Sequence, residues 1–249
     1  NSTLSGNSAR RGGGISNYGI ASMVTVSNST VSGNSATYVG GGIYAGSAAT
    51  VTVSNSTLSG NSAGISGGGV LNNGVLRVQN STLSGNSANN NGGGILNSGT
   101  LTVSNSTLSG NSANGGGGGI YNVFSGRVTV QNSTLSGNSA NRGGGIYRGD
   151  RPSTISNSII ANSSSGGACE GSFTNLGHNL IEDPDLAQYY DKLWDITRGP
   201  IFSPKRLVEV VRMNLGAYQH WVDAYAGRTP PETTPGECIE AIRAMARPV

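Results

Sequence analysis

The sequence predicts an all-β protein, a right-handed parallel β-helix of about six to seven rungs followed by a small C-terminal mixed or helical cap. Two observations support this prediction. A polar phrase close to NSTLSGNSA occurs six times from Asn1 onward, at intervals of 27, 27, 25, 25 and 27 residues. Short segments with alternating apolar residues precede five of these copies. Repetition at such a period is typical of solenoids, in which each unit is stable only against its neighbours.

The first predicted strand of each repeat has one buried face. In TLTVS (100–104), Leu101 and Val103 point to one side and Thr102 to the other. Strict alternation of this kind indicates a strand that packs on the core with one face only. Glycine makes up 41 of 249 residues and charged residues only 11%, a composition also found in disordered chains, but the apolar residues here keep a fixed period.

The phrase NSTLSGN supplies the second predicted strand. In the copy that begins at Asn105, Leu108 points in while Thr107 and Ser109 point out. Stacked about 4.8 Å apart on identical neighbours, the inward residues form an apolar column that one repeat alone cannot provide. The predicted core column is Leu58, Leu83, Leu108 and Leu135, and the predicted outer file is Thr30, Thr57, Thr82, Thr107 and Thr134.

The third predicted strand follows a run of glycines. In GGGIY, Ile120 points in and Tyr121 points out. Glycine lets the backbone bend tightly or pack where a side chain would collide. The aliphatic residues after the glycines are predicted to form a second column, consisting of Ile15, Ile43, Val70, Ile95, Ile120 and Ile146.

Two asparagines per repeat are predicted to form the corners on either side of the second strand. Asparagine tolerates left-handed backbone and can bond its own turn. Asparagine amides stacked in register can also bond to one another as ladders. We therefore predict structural ladders at both corners. The first consists of Asn28, Asn55, Asn80, Asn105 and Asn132, and the second of Asn34, Asn61, Asn86, Asn111 and Asn138.

The motifs GGGI and LSGN, repeated at rung spacing, resemble the GGA(I/L/V) and FxxN tetrapeptides of chlamydial polymorphic outer-membrane proteins. They are also similar to the broader set of bacterial surface and secreted proteins with right-handed parallel β-helix repeats. The resemblance covers residues 1–184 well and 210–222 weakly; the Phe of FxxN is Leu or Val here, and 186–212 does not match. It implies secretion and a surface, adhesive or scaffold role, and it implies no particular ligand.

The residues after Pro184 carry more charge and have apolar residues near helical spacing. We therefore predict a repeat domain at 1–184 and a C-terminal cap or tail at 185–249. An open last rung would expose strand edges and the apolar column, which a cap would cover. Cys169 and Cys238 could form one disulfide in a secreted protein, and two free thiols are the alternative.

Catalysis is not predicted, because residues 1–149 contain neither Asp nor Glu and both histidines lie beyond residue 177. Acid–base and nucleophilic chemistry need clustered carboxylates, or a base beside the nucleophile. The β-helix shape is shared with polysaccharide-cleaving enzymes, although a fold alone does not determine function. A polysaccharide-binding or polysaccharide-cleaving β-helix is therefore an alternative that would need carboxylates from residues 150–185 or from the tail. No cofactor and no metal site are predicted.

The charge distribution does not favour nucleic-acid binding. Residues 1–151 carry seven Arg and one acid, a charge of +6, and residues 152–249 carry eight bases and eleven acids, a charge of −3. Arginine occurs about once per repeat, and aromatic residues for base stacking are sparse. No stretch of about 18 apolar residues is present, so no membrane span is predicted either.

The outward hydroxyl residues leave two further interpretations open. The Thr file resembles the Thr-x-Thr surfaces of β-helical ice-binding proteins, so ice binding is a second alternative function. The triplet NST is also the acceptor pattern for N-glycosylation. We interpret it as a turn and expect it to be unmodified in a bacterial product; in addition, sugars on stacked corner asparagines would disrupt a ladder.

We predict a non-enzymatic, extracellular or cell-surface bacterial β-solenoid that acts as a structural scaffold, adhesin stalk or filament subunit. The expected partners are a host or extracellular-matrix surface ligand, or further copies of the chain associated end to end into fibres. The chain starts inside a repeat, and such association would cover the strand edges at that end.

Overall fold

The computed structural model describes residues 1–123, 125–149, 153–171 and 173–181. Within these ranges the chain is a parallel β-solenoid of about seven turns with 27 strands and no helix. It follows that none of the described residues forms a helix long and apolar enough to cross a membrane. The predicted all-β solenoid is confirmed, and its right-handed winding stays a prediction that follows the usual hand of parallel crossovers. The predicted cap at 185–249 and the boundary before it lie outside the described residues.

The strands are short, and most turns contain four of them. Numbered along the chain, they are β1 Thr3–Ser5, β2 Ser8–Arg11, β3 Ile15–Asn17, β4 Met23–Ser27, β5 Thr30–Ser32, β6 Ser35–Val39, β7 Ile43–Ala45, β8 Thr50–Ser54, β9 Thr57–Ser59, β10 Ser62–Ala63, β11 Val70–Asn72, β12 Val75–Gln79, β13 Thr82–Ser84, β14 Ser87–Ala88, β15 Ile95–Asn97, β16 Thr100–Ser104, β17 Thr107–Ser109, β18 Ser112–Ala113, β19 Ile120–Asn122, β20 Arg127–Gln131, β21 Thr134–Ser136, β22 Ile146–Arg148, β23 Ser153–Ser156, β24 Ile159–Ala161, β25 Cys169–Glu170, β26 Thr174–Asn175 and β27 Leu180–Ile181.

These strands stack into four parallel sheets that run along the solenoid axis. Sheet 1 contains β1, β5, β9, β13, β17, β21, β24 and β27, of which β1, β9, β13, β17 and β21 have the sequence Thr-Leu-Ser. Sheet 2 contains β2, β6, β10, β14 and β18. Sheet 3, which follows the glycine runs, contains β3, β7, β11, β15, β19, β22 and β25. Sheet 4 contains the alternating strands β4, β8, β12, β16, β20, β23 and β26.

Aliphatic side chains stacked turn upon turn fill the interior, as predicted. Leu83 of sheet 1 pairs in register with Leu58 on one side and Leu108 on the other. In sheet 3, Ile95 pairs with Ile120. All of these side chains are fully buried, and they belong to one continuous core. Because each column extends across neighbouring turns, no single repeat contains a core of its own.

Sheet 2 is absent from the sequence-based predictions, which give three strands per repeat. Its strands consist largely of the Ser-Ala pair that follows the second corner, where Ala63 pairs with Ala88 and both are buried. Single bridges from Ser112 to Ser139 and from Ser139 to Ser165 continue its line beyond β18. Two residues with small side chains are too few to display an alternating pattern, which explains why the sequence gives no signal for this sheet.

The glycine run before sheet 3 lies where adjacent turns approach most closely. A Cβ atom on Gly68 would lie 2.2 Å from the carbonyl oxygen of Ser87. A Cβ atom on Gly69 would lie 2.6 Å from the carbonyl oxygen of Gly94 and 3.2 Å from the amide of Asn86. No side chain fits at these distances, so the repeated glycines are required by close packing between turns.

Candidate functional surfaces

A ladder of buried asparagine side chains runs along the second corner, between sheets 1 and 2. The Nδ2 of Asn61 donates to Oδ1 of Asn86 at 2.9 Å, and the Nδ2 of Asn86 donates to Oδ1 of Asn111 at 2.9 Å. The second ladder predicted from the sequence is therefore present. Its fully buried members are Asn34, Asn61, Asn86, Asn111 and Asn138.

Each interior amide of this ladder is fully hydrogen-bonded. The second Nδ2 hydrogen of Asn86 is donated to the carbonyl oxygen of Leu58 at 3.0 Å. Its Oδ1 accepts from both the Nδ2 and the backbone N–H of Asn61, at 2.9 and 3.0 Å. A buried amide is costly when unpaired and tolerated when satisfied. The ladder thus ties each turn to the turns on either side of it.

The first corner, between sheets 4 and 1, lacks the asparagine ladder predicted for it. Its asparagines have the expected left-handed backbone, with φ of 48–49°, but their side chains are exposed. Within the described residues no side-chain hydrogen bond links one to the next. Their backbone N–H groups connect the turns instead, as from Asn55 to the carbonyl oxygen of Gln79 at 3.1 Å. These exposed corner asparagines are Asn28, Asn55, Asn80, Asn105 and Asn132.

The serine after each exposed corner asparagine forms the ladder at this corner. The Oγ of Ser81 donates to the carbonyl oxygen of Gln79 at 2.6 Å and accepts from the backbone N–H of Ser56 at 3.1 Å. Both serines are 4–5% exposed. The sequence contains the necessary signal, because alternation counted back from the inward Leu83 places Ser81 inside and Asn80 outside.

A third ladder, also absent from the sequence-based predictions, lies where sheet 3 ends. The Nδ2 of Asn72 donates to Oδ1 of Asn97, and that of Asn97 to Oδ1 of Asn122, both at 2.7 Å. All three asparagines are fully buried. The signal is an asparagine two residues after the inward aliphatic residue, and it is obscured because Ala45 and Arg148 occupy the aligned positions in neighbouring repeats.

The outer face of sheet 1 presents two files of hydroxyl groups. Thr107 pairs in register with Thr82 and Thr134. Ser109 lies on the same strand as Thr107 and pairs with Ser84 of the neighbouring turn. The threonines proposed from the sequence, Thr30, Thr57, Thr82, Thr107 and Thr134, lie in one line and are partly exposed. In the next turn the exposed Ile159 takes the threonine position.

Stacked tyrosines cover part of the outer face of sheet 3. The rings of Tyr121 and Tyr147 are parallel to within 5°, with centroids 4.7 Å apart. The guanidinium of Arg142 lies 4.9 Å from the Tyr147 centroid, and burial raises the pKa of Tyr121. One face of each ring covers one face of the other, so the pair stabilises the wall of the solenoid.

Glu170 is the one carboxylate in the part of the chain that the structure describes. Its Oε1 accepts a hydrogen bond from Nε of Arg142 at 2.8 Å, and this contact raises the pKa of Arg142. The described part of the chain contains no group of three or more His, Cys, Asp or Glu that could hold a metal ion. The polysaccharide-cleaving alternative needs a carboxylate cluster from residues 150–185 or from the tail, and the other carboxylates there, Asp150, Glu182, Asp183, Asp185 and those of the tail, lie outside the described ranges.

Cys169 is a partly buried thiol on β25. Burial raises the pKa of this thiol to about 12. The group is therefore protonated at neutral pH, and a protonated thiol is a poor nucleophile and metal ligand. Its predicted disulfide partner, Cys238, lies outside the described residues, so the pairing stays a prediction.

Comparison with known proteins identifies the repeat unit. A family model of the Chlamydia polymorphic membrane protein repeat matches residues 28–46 and 105–123. Both segments begin at an exposed corner asparagine and end just after a strand of sheet 3, so each contains GGGI, preceded by VSGN in the first segment and by LSGN in the second. The resemblance predicted from those motifs is confirmed. Neither the curated proteins nor the solved structures include a significant match to the chain.

Proposed function

We propose that the chain is a non-enzymatic β-solenoid at the bacterial cell surface, where it acts as a rigid scaffold or adhesin stalk. Its repeats are similar to those of the Chlamydia polymorphic membrane proteins, a similarity that suggests an outer-membrane or surface location. A stalk holds a binding segment away from the cell. Its turns must therefore stay bonded to one another along its length, and the stalk itself needs no ligand pocket.

Continuous hydrogen bonding along the axis is the observation that supports this role. Three kinds of hydrogen bond connect the turn that contains Asn61 to the turn that contains Asn86. They are the backbone bonds of the four sheets, the asparagine ladder and the bond from Ser56 to Ser81. The asparagine and serine bonds recur at each contact from the first turn to the sixth, so a pull along the axis is shared among many bonds at each of these contacts. Turns are about 4.8 Å apart, so each added repeat lengthens the rod by one such step.

Removal of complete repeats tests the stalk. Deletion of residues 55–79 or of residues 80–104 removes 25 residues and one strand from each sheet. We expect both variants to remain on the cell surface and to change cell attachment equally, because a spacer depends on the number of turns rather than on their identity. Antibody labelling of intact cells measures display, and counting of attached cells measures adhesion.

Deletion of residues 80–92 is the matched control, because it removes strands from two sheets only and leaves an incomplete turn. We expect this variant to lose surface display. The proposal is wrong if antibody reaches the wild-type chain only after permeabilisation. It is also wrong if one whole-repeat deletion abolishes attachment while the other has no effect.

The registered hydroxyl files on sheet 1 favour ice binding as a second candidate function. If this candidate holds, the wild type inhibits ice recrystallisation, and we expect a Thr82→Lys/Thr107→Lys variant, which disrupts the flat face, not to inhibit it. Thr102→Lys on sheet 4 is the control, since its in-register neighbour Arg77 already places a long cation there. Absence of recrystallisation inhibition and of thermal hysteresis in the wild type excludes this candidate.

A further inference from the structure

The exposed corner asparagines share a feature beyond their backbone conformation. Each is followed by serine and then threonine, so all five triplets match the acceptor pattern for N-linked glycosylation. One ground for expecting them to be unmodified is a side-chain ladder that sugars would disrupt. That ladder does not exist at this corner.

The backbone N–H of the corner asparagine and the hydroxyl of the following serine hold the turns together, and the asparagine side-chain amide takes no part in this. At Asn80 the backbone N–H donates to the carbonyl oxygen of Ser104 at 3.1 Å, and Ser81 accepts from Ser56 and donates to Gln79. Among the described residues no hydrogen bond engages the Asn80 side chain, which is exposed. A substituent on its Nδ2 would therefore extend into solvent without breaking a contact.

The acceptor triplet is presented with its two recognised side chains outward. In the triplet Asn80-Ser81-Thr82, Asn80 is exposed and Thr82 is partly exposed on the outer face of sheet 1. The intervening Ser81 is buried. The residues that define the pattern thus face an approaching transferase, and the variable residue between them lies in the serine ladder.

We propose that the exposed corner asparagines are a file of N-glycosylation sites. A transferase joins Nδ2 to the anomeric carbon of a sugar as the bond from that carbon to a diphosphate oxygen breaks. The diphosphate leaves with the bonding electron pair, and one amide proton passes to a base of the transferase. The donor is a nucleotide- or lipid-linked sugar diphosphate, and the product is a ridge of sugars along one edge of sheet 1.

The seventh turn contains a natural control for this proposal. Asn157 occupies the same corner, is exposed and has the same φ of 49°. It is followed by Ser158 and Ile159, so it lacks the threonine of the acceptor pattern. Ile159 is itself 44% exposed, so Ile159→Thr creates the pattern at this corner with little structural cost. Thr107→Ala removes the pattern at Asn105 and leaves that asparagine in place.

Peptide mass spectrometry of the full chain, purified from its native cells, tests the proposal. We expect sugar on the exposed corner asparagines and none on Asn157, a gain at Asn157 in the Ile159→Thr variant, and a loss confined to Asn105 in Thr107→Ala. A mass increase of single hexoses indicates a nucleotide-linked donor, and a preassembled oligosaccharide indicates a lipid-linked one. An unmodified native chain, or sugar on Asn157 in the wild type, overturns the proposal, which is independent of the stalk function.

Discussion

Leu108→Asp is expected to unfold the solenoid around its turn and to lower the free energy of unfolding by roughly 4 kcal/mol or more. Leu108 is fully buried, and it packs in register between Leu83 and Leu135. The substitution places a carboxylate in an apolar column with no counter-charge, and the damage extends to both adjacent turns. Urea denaturation followed by circular dichroism at neutral pH measures the loss.

Thr107→Ala is the control for this substitution, because Thr107 is the adjacent residue on the same strand and faces outward. A surface change of this kind is expected to stay within about 0.5 kcal/mol. Comparable losses from the two variants would contradict the inward and outward assignments of sheet 1.

Asn86→Asp has the second largest expected effect, a loss of about 3–5 kcal/mol, since it leaves a buried charge without a partner. The variant loses the Nδ2 donors to Asn111 and Leu58 and sets a carboxylate oxygen against those acceptors. Burial raises the pKa of the new carboxyl above its unfolded value. In acid the carboxyl is neutral and donates one hydrogen bond in place of two, so part of the stability is retained there, and this part is lost as the pH rises through the raised pKa.

Asn80→Asp is the same substitution in the same turn, and it is expected to change stability by less than about 0.5 kcal/mol. Asp tolerates the left-handed backbone almost as well as Asn, and the Asn80 side chain is exposed. Denaturation curves recorded for both variants across the acid-to-neutral range separate the two roles. Equal losses would mean that the two corners are equivalent, contrary to the described hydrogen bonds.

The sequence predicts the core well because stacking forces aligned positions to be alike. Leu58, Leu83 and Leu108 occur at a constant position in the repeat, and alternation fixes their side of the strand. Asn80 is exposed and Asn86 is buried, and their shared residue type does not reveal this difference. Alternation along the strand places Asn80 outward, and the glycine turn before Asn86 places Asn86 inward. Nothing else in the repeated phrase distinguishes the two.

Other features could not be predicted, for physical reasons that differ. The Ser-Ala strands of sheet 2 are too short for periodicity to appear. The third ladder is interrupted in sequence at Ala45 and Arg148, although the backbone register is unbroken there. Surface function is the least predictable, because small polar residues suit any solvent-facing strand and so mark no ligand by themselves.

The buried asparagine ladder gives the rod a direction. Each amide hydrogen passed between side chains, from Asn34 to Asn61 and onward to Asn138, points toward the later turn. Aligned amides polarise one another, so the alignment is self-reinforcing. Reversing one amide in the ladder would bring donor against donor, so the ladder has two chemically distinct ends, with Oδ1 outermost on the side of the earlier turns and Nδ2 outermost on the side of the later turns.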